Sequence, residues 1–142
     1  MLKYKKLHED AKTPIRGSQF ASGFDLSSIE DADIPPGKSA ILGTGLAMEI
    51  KNGCVGLIWP RSKLGAKKQI QLLAGVVDSD YRGEVMIALL NSGDKTLEVR
   101  KGDKIAQMLI QVSFAGVAIE CDQLSDAERG SKGINCDEMR LR

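Results

Sequence analysis

The segment around Asp78 carries two carboxylates and a phenol within four residues. Asp78 directly follows the apolar run Leu72–Val77, and Asp80 and Tyr81 come next, in a stretch rich in turn formers. A carboxylate at the end of a buried strand is held by a rigid element and can serve a hard cation. The alternative is that both aspartates cap a surface turn by accepting hydrogen bonds from backbone N–H groups.

Short strands are the elements that would hold this segment. The run Leu72–Val77 and the run Glu84–Leu90 are predicted to be buried strands that pair as a hairpin. A second hairpin is predicted at Asn52-Gly53, because a type I′ turn needs positive φ at both central positions. Three more turn signals separate strand-like runs, and this spacing is typical of an all-β sandwich or barrel. They lie at Pro35-Pro36-Gly37, Asn91-Ser92-Gly93 and Lys101-Gly102-Asp103.

Helix is expected only in short pieces. One turn is predicted between Pro60 and Lys68, and Ser125–Glu128 has the spacing of a capping box. The length of 142 residues indicates one domain over residues 1–142. Residues 125–142, rich in Gly, Ser and charge, are predicted to form a flexible C-terminal lid or tail.

Composition argues against several classes of function. The formal net charge is +1, and no run of five or six like charges suggests a nucleic-acid stripe or a polybasic membrane patch. The three cysteines lack C-x-x-C spacing, which argues against a disulfide framework or a zinc site. The N-terminus has no signal-peptide pattern, and no segment is long enough to span a bilayer. We therefore expect an intracellular protein with a small-molecule partner.

Four further segments combine residue types that a plain β-sandwich does not require. Asp25 lies between apolar neighbours, Arg61 and Ser62 directly follow an apolar run, and Gln107 interrupts another. Arg129 precedes a second cation and two glycines. Together these segments offer donors for phosphate oxygens, glycines that expose backbone N–H groups, and carboxylates for a hard cation. This is the chemistry of a nucleoside triphosphate.

In this order, the five segments resemble the five sequence motifs of trimeric dUTP pyrophosphatase, or dUTPase. The resemblance implies a jelly-roll-like β fold and a homotrimer with active sites at subunit interfaces. It also implies Mg²⁺-dependent hydrolysis of dUTP to dUMP and pyrophosphate, which lowers dUTP and supplies dUMP for dTTP synthesis. The expected location is the cytoplasm or another intracellular compartment, or the nucleus if the source is a eukaryote or its virus.

Carried over from that family, Asp78 is the general base that activates a water for attack on the α-phosphorus. Tyr81 packs against the deoxyribose and excludes a 2′-hydroxyl; its alternative is to cover the edge of the core. Main-chain atoms of Gly75, Val76 and Val77 hold the uracil, and a cytosine would leave one of those groups unpaired.

The resemblance assigns the phosphates to Arg61, Ser62 and Lys63, with Arg129 reaching the γ-phosphate from the tail of a neighbouring subunit. Asp25 binds waters of the Mg²⁺ shell rather than the ion itself, and Gln107 belongs to the same metal and phosphate side. For Asp25 the alternative is an Asx-type turn, and for Gln107 it is a solvent-facing strand position.

The chain departs from the family pattern in two places. Lys63 replaces a small residue, and Ile134 replaces an aromatic residue that would stack on uracil. We therefore expect an active enzyme with a weaker lid, and so a higher KM or a slower chemical step. Two alternatives remain open: a dCTP deaminase, which resembles dUTPase in fold, and a regulatory module that keeps the pocket but acts through a partner surface.

Overall fold

The computed structural model describes residues 2–114 and 116–131, and nearly all its regular structure is antiparallel strand. The strands in this part of the chain are β1 (Lys3–Lys6), β2 (Ile15–Arg16), β3 (Gly23–Ser27), β4 (Ala32–Ile34), β5 (Ser39–Glu49), β6 (Cys54–Trp59), β7 (Ile70–Leu72), β8 (Val76–Val77), β9 (Glu84–Asn91), β10 (Leu97–Val99) and β11 (Lys104–Val112). A single π-helical turn covers Lys63–Lys67, within the range where one turn was predicted. The prediction of an all-β protein with little helix is confirmed.

The strands form three sheets around one core. The largest has the order β2-β3-β11-β6-β8, the next has the order β1-β5-β9-β7, and β10 pairs with β4 alone. Side chains from all three sheets join one buried cluster, which is what closes the two larger sheets over each other. Its large, fully buried members include Leu26, Ile34, Leu46, Ile50, Ile87, Leu89, Ile105 and Met108.

A bulge in β5 lies opposite the first residues of β9. The register of the β5–β9 pair shifts between Gly43 and Ala47, and Gly45 adopts a φ of 64° that a side chain would disfavour. Two carboxylates accept the hydrogen bonds that the broken ladder would leave unmade. Glu30 accepts from the N–H of Gly43 and Glu84 from that of Gly45, both at 2.7 Å. Glu84 also ends the Asp78 segment, so that end is anchored.

The hairpin predicted at Asn52-Gly53 is wrong: a turn forms there, but Asn52 does not adopt the positive φ that the predicted type I′ turn needs. Gly53 has a φ of 80°, and the N–H of Cys54 donates to the carbonyl of Lys51 at 3.0 Å. However, β5 and β6 on either side of this turn belong to different sheets. A turn signal is local, whereas the choice of pairing partner depends on the whole core.

The hairpin predicted around Asp78 is also wrong. Residues 72–77 are not one buried strand, because β7 pairs with β9 in one sheet and β8 pairs with β6 in the other. Leu73 and Val76 are 56% and 69% exposed, since the chain crosses here from one sheet to the other. The loop from Asp78 to Gly83 therefore connects two sheets, and no ladder joins its two ends.

The remaining turn predictions are mostly confirmed. The N–H of Lys38 donates to the carbonyl of Pro35 at 3.1 Å, and that of Asp103 to Arg100 at 2.9 Å. The predicted helix at Ser125–Glu128 is wrong, because this stretch is irregular and ends in a turn. Four residues with cap spacing but no following apolar periodicity cannot offset the cost of nucleating a helix. The single-domain division and the tail's flexibility stay predictions.

Candidate active site

Asp25, Gln107 and Trp59 form one row across the largest sheet. The register pairs Ile15 with Asp25, Asp25 with Gln107, and Gln107 with Trp59. Residues opposite each other in antiparallel strands point to the same face. Met108, next to Gln107, is fully buried, so the row lies on the outer face of the sheet.

The Asp25 carboxylate binds two cations. Its side chain is only 10% exposed; Oδ1 accepts a hydrogen bond from Arg61 Nε at 2.9 Å, and Oδ2 lies 2.8 Å from Lys104 Nζ. Asp25 lies inside β3, so the alternative of an Asx-type turn is wrong. Two cations around one carboxylate leave a net positive charge at the surface, which favours an anionic ligand.

Gln107 positions the chain next to Arg61. Its Nε2 donates to the carbonyl of Pro60 at 3.1 Å, and Pro60 immediately precedes Arg61. Room for this side chain exists because Gly23 has no Cβ; a Cβ there would lie 2.5 Å from Gln107 Oε1. Gln107 is half-buried in this arrangement, so it is not simply a solvent-facing strand residue.

A cleft of about 350 Å³, here called the Asp25 cleft, brings three predicted segments together. It is lined by Gly17, Ala21, Gly23, Asp25, Arg61, Ser62, Lys63 and Gln107. Ser62 begins the π-helical turn, and its hydroxyl is not used as a cap. A larger cleft of about 520 Å³ beside Lys67 and Lys95 contains none of the predicted site residues.

The turn before β11 is held by an ion pair and by a backbone hydrogen bond to a carboxylate. Lys101 Nζ lies 2.8 Å from Asp10 Oδ2, and its backbone N–H donates to Asp31 at 2.7 Å. The hydrogen bond from Lys101 holds the pKa of Asp10 below its ordinary value, and Asp10 in turn raises the pKa of Lys101. Lys104 directly follows this turn, so the backbone that carries it is fixed next to Asp25.

Asp78 lies in a different cleft. It is exposed at the end of β8, in a cleft of about 400 Å³ that Cys54 and Ser113 also line. Among the described residues, no hydrogen bond or ion pair engages its carboxylate, so it does not cap the turn. By strand register its Cα is about 16 Å from that of Gln107, two strands across and four residues along.

Tyr81 is 46% exposed, and its ring folds back over the loop. The hydroxyl donates to the carbonyl of Glu84 at 2.9 Å. The ring lies against Gly83, where a Cβ would come within 2.6 Å of Tyr81 Cζ. Tyr81 thus lies three residues from Asp78 on the same connection, on the surface of the chain rather than over the core.

Residues 75–77 run along an open edge. β8 is the last strand of its sheet, and the carbonyl of Gly75 accepts from the N–H of Ile58 at 2.8 Å. Because backbone groups of successive residues alternate in direction, Val76 presents its N–H and C=O away from β6. These groups are available to a ligand, while those of Val77 face the ladder.

Arg129 lies in a turn in which the N–H of Gly130 donates to the carbonyl of Ala127 at 3.0 Å. It is not one of the residues that line the Asp25 cleft. The predicted departure at Ile134 and the rest of the tail lie outside the described residues. The roles assigned to individual residues stay predictions.

Sequence reasoning missed two residues at the site. Lys104 contacts Asp25, and Trp59 stands beside Gln107 with 54% of its side chain exposed. A signal existed for Lys104, because it begins the run that contains Gln107. Its contact with Asp25 could not be inferred, since it depends on the pairing of β11 with β3.

The fold and the clefts define an all-β protein with a cleft lined by cationic side chains on one sheet and, on a connecting loop, a carboxylate with no partner among the described residues. The dUTPase family model matches residues 9–136. The chain belongs to the dUTPase family, and the resemblance found in the sequence is confirmed.

Two curated relatives are deoxyuridine 5′-triphosphate nucleotidohydrolases. The mitochondrial protein of Homo sapiens is 44% identical over 94% of this chain and 53% of its own length. That of Nautilia profundicola is 45% identical over 94% of this chain and 95% of its own. These matches indicate a dUTP diphosphatase.

The fold also matches solved structures. The dUTPase of Staphylococcus bacteriophage 80α with dUpNHpp has a TM-score of 0.88 at 25% identity, over 94% of this chain and 95% of that one. A variant of the phage 80α dUTPase has a TM-score of 0.89 at 24% identity, over 95% of this chain and 97% of that one. The predicted jelly-roll-like fold is therefore confirmed. In the described part of the chain, no helix has the length and apolar character needed to cross a membrane.

Proposed function

We propose that the chain hydrolyses dUTP to dUMP and pyrophosphate, with Asp78 as the general base. The observation that supports this proposal is the exposed Asp78 carboxylate at the end of an edge strand, which has no hydrogen-bonding partner among the described residues. In the reaction, a water oxygen attacks the α-phosphorus as Asp78 takes one of its protons. The bond from the α-phosphorus to the bridging oxygen then breaks, and pyrophosphate leaves. Such proton transfer contributes about 10² to 10⁴ in rate.

Uracil recognition is assigned to the open edge of β8. The outward N–H and C=O of Val76 offer one donor and one acceptor in the plane of the sheet. Uracil presents the complementary pair, whereas cytosine presents a donor where uracil has an acceptor. A buried polar group left unpaired costs about 1 to 3 kcal/mol, which favours uracil by about fivefold to a hundredfold. Tyr81, on the same connection, excludes the 2′-hydroxyl.

The triphosphate is assigned to the Asp25 cleft. Arg61, Ser62 and Lys63 line it, and preorganised donors stabilise the charge that builds up on the leaving pyrophosphate. Asp25 and Gln107 hold this set in place through Arg61 and Pro60. Arg129 is assigned to the γ-phosphate from the tail of another subunit, and closure by that tail would complete the site.

The residues fit Mg²⁺ carried by the substrate. In the described part of the chain, no cluster of three His, Cys, Asp or Glu side chains could cage a metal. Mg²⁺ usually keeps several waters and binds through one or two carboxylates plus substrate phosphates. Asp25 and the Gln107 amide oxygen offer acceptors for such waters. When bound, Mg²⁺ would neutralise phosphate charge. A related phage phi11 dUTPase is described with a structural Mg(II) ion.

A homotrimer with shared sites is the proposed assembly, and the separation of the two clefts supports sharing between copies. The Cα atoms of Asp78 and Gln107 are about 16 Å apart by strand register, and the two residues line separate clefts of one chain. In the proposed assembly, a second copy supplies the Asp78 loop to the Asp25 cleft. The outer face of the largest sheet exposes Trp59 and Val76 beside the row, which suits such contact.

Incubation with dUTP, UTP, dTTP and dCTP plus Mg²⁺, with pyrophosphate and ammonia both assayed, tests this function. We expect pyrophosphate from dUTP alone. Ammonia from dCTP would favour the deaminase alternative. An Asp78→Asn variant that keeps full biological effect in its host would favour the regulatory alternative. The intracellular location stays a prediction.

A further inference from the structure

The loop from Asp78 to Gly83 is anchored at both ends by strands, but its own residues have no strand pairing. Its ends belong to strands of different sheets, and Asp78, Tyr81 and Arg82 are all exposed. Neither a backbone ladder nor burial in the core therefore fixes the Tyr81 ring. A ring that discriminates between sugars by exclusion must be held in place, because a ring that swings aside excludes nothing.

The Arg82 side chain forms hydrogen bonds with the backbone of its own loop. Its Nη1 donates to the carbonyl of Ser79 at 2.7 Å and to the carbonyl of Tyr81 at 2.9 Å. The N–H of Tyr81 also donates to the carbonyl of Asp78 at 3.2 Å. Hydrogen bonds from a guanidinium are stronger than those between neutral groups. Arg82 thus sets the backbone on both sides of Asp80 and directly beneath Tyr81.

Gly83 leaves the space that the Tyr81 ring occupies, and this space is called the seat of the ring. A Cβ at this position would lie 2.6 Å from Tyr81 Cζ and 2.9 Å from Cε2, which real Cβ atoms do not tolerate. The φ of Gly83 lies outside the left-handed region, so the backbone itself would accept an alanine. The ring is the movable partner, and an added methyl would push it off its seat. The bond from Tyr81 to the Glu84 carbonyl would break with it.

We propose that Arg82 and Gly83 are positioning residues that hold the Tyr81 ring where it separates deoxyribose from ribose. This inference rests on the proposed dUTP hydrolysis. Neither residue touches the substrate in this scheme. Arg82 acts through the loop backbone, and Gly83 acts by leaving space.

The test compares kcat/KM for dUTP with kcat/KM for UTP in Gly83→Ala and Arg82→Met. Loss of the seat or of the backbone tie is expected to lower the dUTP/UTP ratio by about fivefold to tenfold. If Arg82 only attracted the triphosphate, Arg82→Met would weaken both substrates equally and leave the ratio unchanged. Gly65→Ala is the matched control, because its Cβ would meet Pro60 at an ordinary 3.4 Å. An unchanged ratio in both test variants would overturn the proposal.

A second readout does not depend on turnover. The chain has only two tyrosines, Tyr4 and Tyr81, so ring-¹³C labelling gives two assignable sets of NMR signals. Gly83→Ala should shift and broaden the Tyr81 ring signals and leave those of Tyr4 in place. A wild-type protein that hydrolyses no nucleotide would refute the proposed function alone. Unaltered Tyr81 signals in Gly83→Ala would refute the positioning role.

Discussion

The carboxylate of Asp25 joins Arg61 to Lys104, with Oδ1 2.9 Å from the guanidinium Nε and Oδ2 2.8 Å from the ammonium. It links strands β3 and β11 to the segment after β6, so one side chain organises three of the elements that line the cleft. Because Asp25 is only 10% exposed, water screens this pair poorly.

Asp25→Asn is therefore expected to lower the free energy of unfolding by about 1 to 3 kcal/mol, since it leaves two cations without their shared anion. The KM for dUTP should rise about tenfold for each 1.4 kcal/mol of lost phosphate binding. Urea denaturation and steady-state kinetics measure the two effects.

Asp33→Asn is the matched control for that variant. Asp33 lies 2.6 Å from Arg100, but it is 59% exposed, and surface ion pairs contribute about 0 to 1 kcal/mol. Equal losses of stability in the two variants would contradict the organising role of Asp25.

Asp78→Asn should leave stability unchanged and lower kcat by about 10² to 10⁴. The reason is that, within the described part of the chain, the carboxylate has no hydrogen-bonding partner to lose. Asp80→Asn, two residues along the same exposed loop, is expected to keep wild-type kcat. Single-turnover measurements of pyrophosphate release distinguish the two, and equal kcat values for both variants would remove Asp78 from its role.

Local signals in the sequence were sufficient for the turns. Gly53 has a φ of 80°, a conformation that glycine adopts at little cost, so the glycine itself was the signal for this turn. The partners of the strands on either side could not be predicted in this way. Asn52-Gly53 turns the chain between two sheets rather than within one, because the apolar sides of β5 and β6 face each other across the core.

The site was predictable as chemistry but not as geometry. The residue types at Asp25, Arg61 and Gln107 indicated a phosphate and metal site, and the fold brings them into one cleft. Lys104 and Trp59 could not be predicted as neighbours of these residues, because strand register brings them there and a single sequence does not specify register. The separation of Asp78 from that cleft could not be predicted either, because it depends on the pairing of β8 with β6.

Trp59 is the only tryptophan and is 54% exposed in the single chain, so its fluorescence reports assembly. If a second copy covers the row that contains Trp59, its emission should shift to the blue as concentration rises. Sedimentation should give three times 15.4 kDa, about 46 kDa. Trp59→Ala should weaken assembly by about 2 to 4 kcal/mol, whereas Tyr4→Ala, 42% exposed on the other large sheet, should not. A red-shifted Trp59 in the assembled protein would place the contact elsewhere.

The tail offers a gain-of-function test that depends on sequence alone. An aromatic ring stacked on uracil is worth about 0.5 to 1.5 kcal/mol beyond its buried area, so Ile134→Phe should lower the KM for dUTP about twofold to tenfold. Ile134→Leu keeps an aliphatic side chain of the same volume and should leave KM unchanged. If the tail does not close over the base, neither substitution will alter the kinetics, and the departure at Ile134 will have no bearing on catalysis. A gain confined to Phe would show that the tail reaches the uracil and that the ring alone was missing.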